Sequence, residues 1–309
     1  VATLRGEERV DAVIVIGHAE TDEDVALARA VPGIDLILGS HSHRLEPLRK
    51  IEGTGTWFVS PGQYLTHVSR IELRIAEDGT ATARGTLVPM SRDLPVDRAT
   101  ARRVARMNTA LRRDPRWSPL FRPFARIRAE FSTADGTMRD SALGRFVTDA
   151  IRNAGGADVA LSTASSFREP LPPGRVRGID LLAALPYDNE ILLFELPGDA
   201  LARILDHSAS RRGSDYFAQI SGVRFRIDAA RARDIEVLDR ASGSWKPLDS
   251  SRTYTVATTN YLALTAAGYR DLFAAREPRS TGRFVREETR KALVAGRALY
   301  PPADQRISN

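Results

Sequence analysis

The 309-residue chain contains no cysteine. That excludes disulfide staples, thiolate metal ligands and a cysteine nucleophile. It has no apolar run near the ~20 residues that a membrane-crossing helix needs. Val1 leads into Ala-Thr-Leu-Arg-Gly-Glu-Glu-Arg without the basic and apolar regions of a signal peptide. Lysine is almost missing, at positions 50, 246 and 291 only, so arginine carries nearly all the positive charge. There is no internal repeat and no low-complexity tract. What remains is a composition ordinary for a globular protein, long enough for about two domains of ~100–200 residues, with real cores.

The net charge of +6 is unevenly spread. Residues 98–128 hold ten arginines and one acid, Asp114, for +9, so the rest of the chain sums to −3. The high isoelectric point therefore describes one segment. Such a face can attract nucleic acid or anionic lipid. It can equally be a solvated helix face, and no aromatic is interleaved on the helix itself to act as a stacking platform. A nucleic-acid partner is not expected.

Residues 12–16, Ala-Val-Ile-Val-Ile, read as a strand buried on both faces. A helix then opens at Thr21, with Asp24 completing a capping box, and stops at Pro32-Gly33. A second strand over 34–38 follows, then one over 57–60, and a hairpin turning at Asp78-Gly79. The stripe Val104, Met107, Leu111 predicts a helix over 97–113, broken by the prolines at 115, 119 and 123. Further on, helices are expected over 141–153, 180–185, 199–208 and 287–295, with strands at 159–161, 191–196, 223–227 and 254–256. Strands and helices mix without strict alternation, which points to α+β architecture for this half.

Histidine is scarce, with five residues, yet three stand at the ends of the first two strands: His18 after Gly17, then His41 and His43 in Gly39-Ser40-His41-Ser42-His43. Ligands collect at strand C-terminal ends in α/β units. Alternate residues of an extended turn share a side, and small serines leave the imidazoles unobstructed. Three imidazoles suit zinc, manganese or iron. His67 and His207 lack this setting and read as ordinary polar residues.

Gly17-His18, then "PGIDLILGSHSH", then "VSPGQY" resemble the last third of the calcineurin-like metallophosphoesterase domain of the 5′-nucleotidase family. "MRDSALGRFVTDA", "STASSFREPLPPGRV", "ALPYDNEILLFELPGDAL", "ISGVRF" and "TYTVATTNYLA…GY" resemble that family's C-terminal domain. The resemblance implies a partial α/β metallophosphoesterase sandwich over 1–88, a connector with a basic helix over 89–125 that serves as a hinge, and an α+β substrate domain over 126–309. It implies two divalent metal ions, zinc, manganese or similar, with His18 and His41 on one and His43 on the other. It implies hydrolysis of a nucleotide or other phosphoester, of 5′-nucleotidase or 2′,3′-cyclic phosphodiesterase type, by metal-activated water. Arg139 and Arg168 would grip phosphate, and Tyr187 and Tyr261 would sandwich the base. A periplasmic or secreted location follows from the resemblance.

The family's Asp-x-His, Gly-Asp and Gly-Asn-His motifs are missing, and with them every catalytic residue. The expectation is an N-terminally truncated protein, phosphatase-inactive by itself, or else a non-catalytic nucleotide-binding module. Two substrate motifs also depart. Thr163-Ala164-Ser165-Ser166-Phe167-Arg168 replaces Asn-Gly-Gly-Gly-Ile-Arg, and Ala267 replaces an aspartate that holds ribose hydroxyls. Phosphate gripping and stacking are thus better preserved than base and ribose recognition.

Overall fold

The apolar run at 12–16 forms a strand of only three residues, β1 (Ile14–Ile16). In the computed structural model, which describes residues 1–91, 93–296 and 299–309, the chain divides into two units, Val1–Arg103 and Val104–Asn309.

The first unit opens with α1 (Ala2–Gly6), then β1, α2 (Thr21–Ala30), β2 (Leu36–Leu38), β3 (Leu45–Lys50) and β4 (Trp57–Pro61). The four strands lie in the order β1-β2-β4-β3, with β1, β2 and β4 parallel. Ala28 from α2 packs with Ile34, Ile37, Ile51 and Phe58 to form its core. The expectation that β1 is buried on both faces does not hold. Ile14 is 48% and Ile16 81% exposed, because β1 is the sheet's edge and only the Val15 side meets the core. The capping box also moves by one residue: Glu20 is the N-cap and Glu23 its reciprocal partner, not Thr21 with Asp24. Thr21 instead donates to Ser42 and Glu46. The hairpin β5 (His67–Ile75) and β6 (Ala81–Pro89) pairs in register across Asp78-Gly79. Helix α3 (Arg98–Arg113) runs from the end of the first unit into the start of the second and has no buried residue.

The second unit runs β7 (Pro123–Ile127), α4 (Ala142–Gly155), β8 (Val159–Thr163), β9 (Gly174–Arg177), α5 (Gly178–Ala184), β10 (Glu190–Pro197) and α6 (Gly198–Ser210). Then come β11 (Ala218–Ser221), β12 (Val223–Asp228), β13 (Arg231–Leu238), β14 (Trp245–Pro247) and β15 (Thr253–Thr259). The unit finishes with α7 (Asn260–Leu264), α8 (Tyr269–Phe273), β16 (Arg279–Phe284), α9 (Val285–Ala295) and β17 (Ile307–Ser308). The main sheet has the order β11-β8-β15-β10-β16 and is mixed: β8 and β15 are parallel, the other pairs antiparallel.

Period-two alternation gives this sheet two buried faces. Val159, Leu161, Leu192 and Phe194 pack with Leu201, Ile204 and Leu205 of α6. Ala160, Ile191, Leu193 and Ala257 pack with Leu143, Val147 and Ile151 of α4 and Leu293 of α9. The Ser141 hydroxyl caps α4 by accepting from the Gly144 amide, and Gly156 ends it in the left-handed conformation.

Candidate functional site

Strands β1 and β2 run parallel with Ile16 opposite Leu38, so Gly17-His18 and Gly39 to His43 leave the sheet side by side. The structure brings the three predicted histidines together there. His41 Nδ1 lies 3.0 Å from His18 Nε2. Their ring centroids are 4.7 Å apart, and those of His41 and His43 are 6.5 Å apart. Ser40 fixes the turn: its hydroxyl donates to the Gly17 carbonyl at 2.8 Å and stands 3.1 Å from His18 Nδ1. The Glu20 carboxylate is 3.6 Å from His41 Nε2. Gly39 is required by packing, because a β-carbon there would fall 2.6 Å from the Phe58 ring and 3.3 Å from Asp24 Oδ2. That oxygen is buried and has no hydrogen-bond partner among the described residues. Burial and then the neighbouring Glu23 charge raise the Asp24 pKa.

Among the described residues, no group of three or more His, Asp or Glu side chains is disposed to hold a metal ion. The pair His18 and His41 does fit part of one. Two nitrogens on a single cation, each at about 2.0–2.1 Å, stand roughly 3 Å apart, close to the 3.0 Å observed.

In the second unit, Arg139 lies just before the α4 cap, ion-paired to Asp135 at 2.5 Å and largely exposed. It lines a cleft of about 320 Å³ with Met138, Arg212 and Gln305. Arg168 follows the short turn at Ala164–Ser166 and its amide donates to the Ala184 carbonyl at the end of α5. Tyr261 is half-buried at the start of α7, while Tyr187 is 49% exposed. Burial, then the neighbouring Tyr216, raises the Tyr261 pKa, with Tyr187 and Asp215 adding to it and a hydrogen bond from Ser165 opposing. The two predicted tyrosines therefore lie within one electrostatic neighbourhood.

Several residues that build this surface have no sequence signal pointing to them. Gln219, fully buried on β11, accepts from the Ser141 amide at 2.7 Å and donates to the carbonyls of Gly136 and Arg139. It thereby shapes the backbone that carries Arg139. Ser165 donates its amide to the Asp215 carbonyl and pairs its hydroxyl with Thr163 at 2.9 Å. His207, read as an ordinary polar residue, packs edge-on against Tyr269 at 4.6 Å and stands 3.2 Å from the Ala267 carbonyl. The loop that carries Ala267 is thus held from α6.

Residues 123–275 match the model of the family described as 5′-nucleotidase, C-terminal domain. The chain is 23% identical to the protein UshA of Yersinia enterocolitica over 87% of its own length and 56% of that protein's. It superposes on the 5′-nucleotidase precursor from Thermus thermophilus with a TM-score of 0.84, at 21% identity, covering 97% of this chain and 64% of that one. It also superposes on the sulfate thiohydrolase SoxB of Thermus thermophilus, solved in complex with glycerol, with a TM-score of 0.72 at 25% identity, covering 97% and 54%. The match spans about half the length of most of the chain's curated relatives and 19% of one, the trifunctional nucleotide phosphoesterase protein YfkN of Bacillus subtilis. The mixed α/β fold is that of the two-domain 5′-nucleotidases.

Proposed function

Residues 123–275 belong to the 5′-nucleotidase C-terminal domain family, and from that premise we propose that the chain is part of a phosphohydrolase that acts on nucleotides. The observation that carries this reading is the family match over the segment that holds Arg139, Arg168, Tyr187 and Tyr261. Arg139 and Arg168 take the phosphate, since a planar guanidinium meets two phosphate oxygens at once. Tyr187 and Tyr261 stack on the base, worth about 1–3 kcal/mol per base. His18 and His41 hold one divalent cation and His43 a second. When bound, zinc or manganese supplies Lewis acidity and lowers the pKa of a coordinated water. We assign 1–88 to the metal-binding part, 89–125 to the connector (of which Arg92 lies outside the described residues) and 126–309 to the substrate domain. The relatives include a precursor and UshA, which supports an exported protein.

Titration calorimetry of the 309-residue chain with AMP tests this. Tyr261→Ala and Arg168→Ala are each expected to weaken binding at least fivefold, about 1 kcal/mol. Absence of AMP binding, or parent-level affinity in both variants, sinks the reading.

A non-nucleotide ester is the second reading. Hydroxyls at Thr163, Ser165 and Ser166 and a methyl at Ala267 offer no amide to a base edge and no carboxylate to a ribose diol. The 25% identity to a sulfate thiohydrolase favours the same direction. Phenyl phosphate and phenyl sulfate competing for Tyr261 as well as AMP does would support it.

A further inference from the structure

The basic helix α3 has no part in the chemistry above, and it is built unlike the other helices. All sixteen of its residues, Arg98–Arg113, are exposed. Val104, Met107 and Leu111 recur at helical spacing and form one apolar stripe, yet they are 50%, 58% and 42% exposed. Arg98, Arg102, Arg106 and Arg113 lie on the opposite side of the same cylinder, and the helix contains no acid. The nearest acid after it, Asp114, is already bonded to Arg116 at 2.7 Å. Trp117, just beyond the helix, is also 46% exposed.

A helix with a strong apolar stripe, a polar face whose only charges are arginines and a neighbouring exposed tryptophan matches one kind of surface: the headgroup boundary of a bilayer that carries negative charge. We propose that α3, one unbroken helix, is a peripheral docking surface for anionic phospholipid. Charge complementarity selects this occupant. Residues 98–128 carry +9 and the remainder −3, so a negative surface draws this face in and repels the rest. A nucleic-acid duplex would satisfy the arginines but leave the stripe in water. A neutral apolar partner would cover the stripe and leave the arginines uncompensated. Among the described residues no helix is long and apolar enough to cross a membrane.

Co-sedimentation of the 309-residue chain with vesicles tests this. One set is phosphatidylcholine alone; the other contains roughly a third phosphatidylglycerol. Binding is expected to the anionic vesicles and to fall at least tenfold on neutral ones or when salt rises from ~0.1 M to ~1 M. Met107→Glu with Leu111→Glu, and separately Arg102→Glu with Arg106→Glu, are each expected to cost at least tenfold, with circular dichroism and AMP affinity unchanged. Every residue altered is exposed, so folding is preserved. No sedimentation with anionic vesicles overturns the proposal. So does undiminished binding by the Met107/Leu111 variant, a dimer by light scattering that this variant dissociates, or tighter association with a DNA duplex than with the vesicles.

Discussion

Gly268 lies flat against the His207 imidazole: a β-carbon at residue 268 would fall 2.2 Å from His207 Cε1. Its φ of +80° is also one that side-chain-bearing residues rarely adopt. Gly268→Ala is therefore doubly strained, and we expect a loss of about 1–3 kcal/mol by urea unfolding. Because the Ala267 carbonyl sits on the same ring, Tyr261 and AMP affinity should be disturbed with it. Unchanged stability and affinity would show that the loop is not held by this contact.

The same imidazole gives a pH signature. Burial holds the His207 pKa below its ordinary 6.5, with the Ala267 carbonyl opposing. The unfolded chain then takes up the proton first. This contribution to stability is complete above about pH 6.5 and is lost as the pH falls from there through the lowered folded value. His207→Gln keeps a donor and cannot titrate, so its stability should lose this slope below about pH 6.5. An identical slope in the variant would assign the effect to another group.

Gln219 makes a different kind of prediction. Its amide meets two carbonyls and one amide proton in a fully buried position. Gln219→Leu leaves these groups without partners, at about 1–3 kcal/mol for each buried unsatisfied group. Gly144 packs against the Gln219 amide, where a β-carbon would fall 2.0 Å from Oε1, so leucine has little room to adjust. A total loss of at least about 2 kcal/mol is expected by denaturant unfolding, together with weaker phosphate binding through Arg139. Native stability in the variant would refute the assigned role.

The contrast between Gln219 and Ser141 shows what can be read from the chain. Ser141 stands before an apolar stripe at helical spacing, so its capping role is legible, and the helix runs from 142 to 155 much as the pattern predicts. Gln219 acts through bonds to residues about eighty positions away, and no local period carries such information. The same division separates the strands. β8 and β10 are continuous apolar runs that the pattern predicts; β11, β13 and β16 are not, because their pairing rather than their composition makes them strands. At the histidine turn, glycine and strand-end position announce that the three imidazoles lie together. The pairing of Thr21 with Ser42 and Glu46, and the exposure of β1, depend on the sheet order and leave no local trace.

Arg306 is only 6% exposed and ties the end of the chain to α4. Its guanidinium reaches Asp149 at 2.8 Å, Asp304 at 2.7 Å and the Ile220 carbonyl at 2.8 Å. Its amide donates to Asp140, which also takes Arg145 at 2.9 Å. Arg306→Met strands the Asp149 carboxylate, but Asp149 and Asp304 are 28% and 51% exposed and keep contact with water, so the cost should be about 1.5–3 kcal/mol, that of lost hydrogen bonds to charged groups. Asp149 stays bonded to Ser221, so Arg306→Met with Asp149→Asn should recover part of that loss. A double variant no more stable than the single one would mean that the stranded charge is not the source of the cost.

The imidazoles of His18 and His41, just beyond the ends of β1 and β2, lead to the remaining prediction. His18 and His41 follow different strands, and the parallel register of Ile16 with Leu38, with Ser40 bonded to the Gly17 carbonyl, keeps their nitrogens 3.0 Å apart. If that spacing serves a cation, zinc added to the 309-residue chain should bind, and His18→Ala or His41→Ala should each weaken binding at least tenfold, in the range seen for changes at a metal's immediate surroundings. Glu20→Gln should have a smaller effect in the same direction, because the Glu20 carboxylate faces His41 Nε2 without standing between the rings. Calorimetry gives the affinities, and imidazole nitrogen shifts report whether Nε2 of His18 and Nδ1 of His41 are the atoms engaged. A His18/His41 double variant that binds zinc as well as the parent would detach metal binding from this turn. Equal loss in Glu20→Gln and His41→Ala would make the carboxylate a ligand rather than a support.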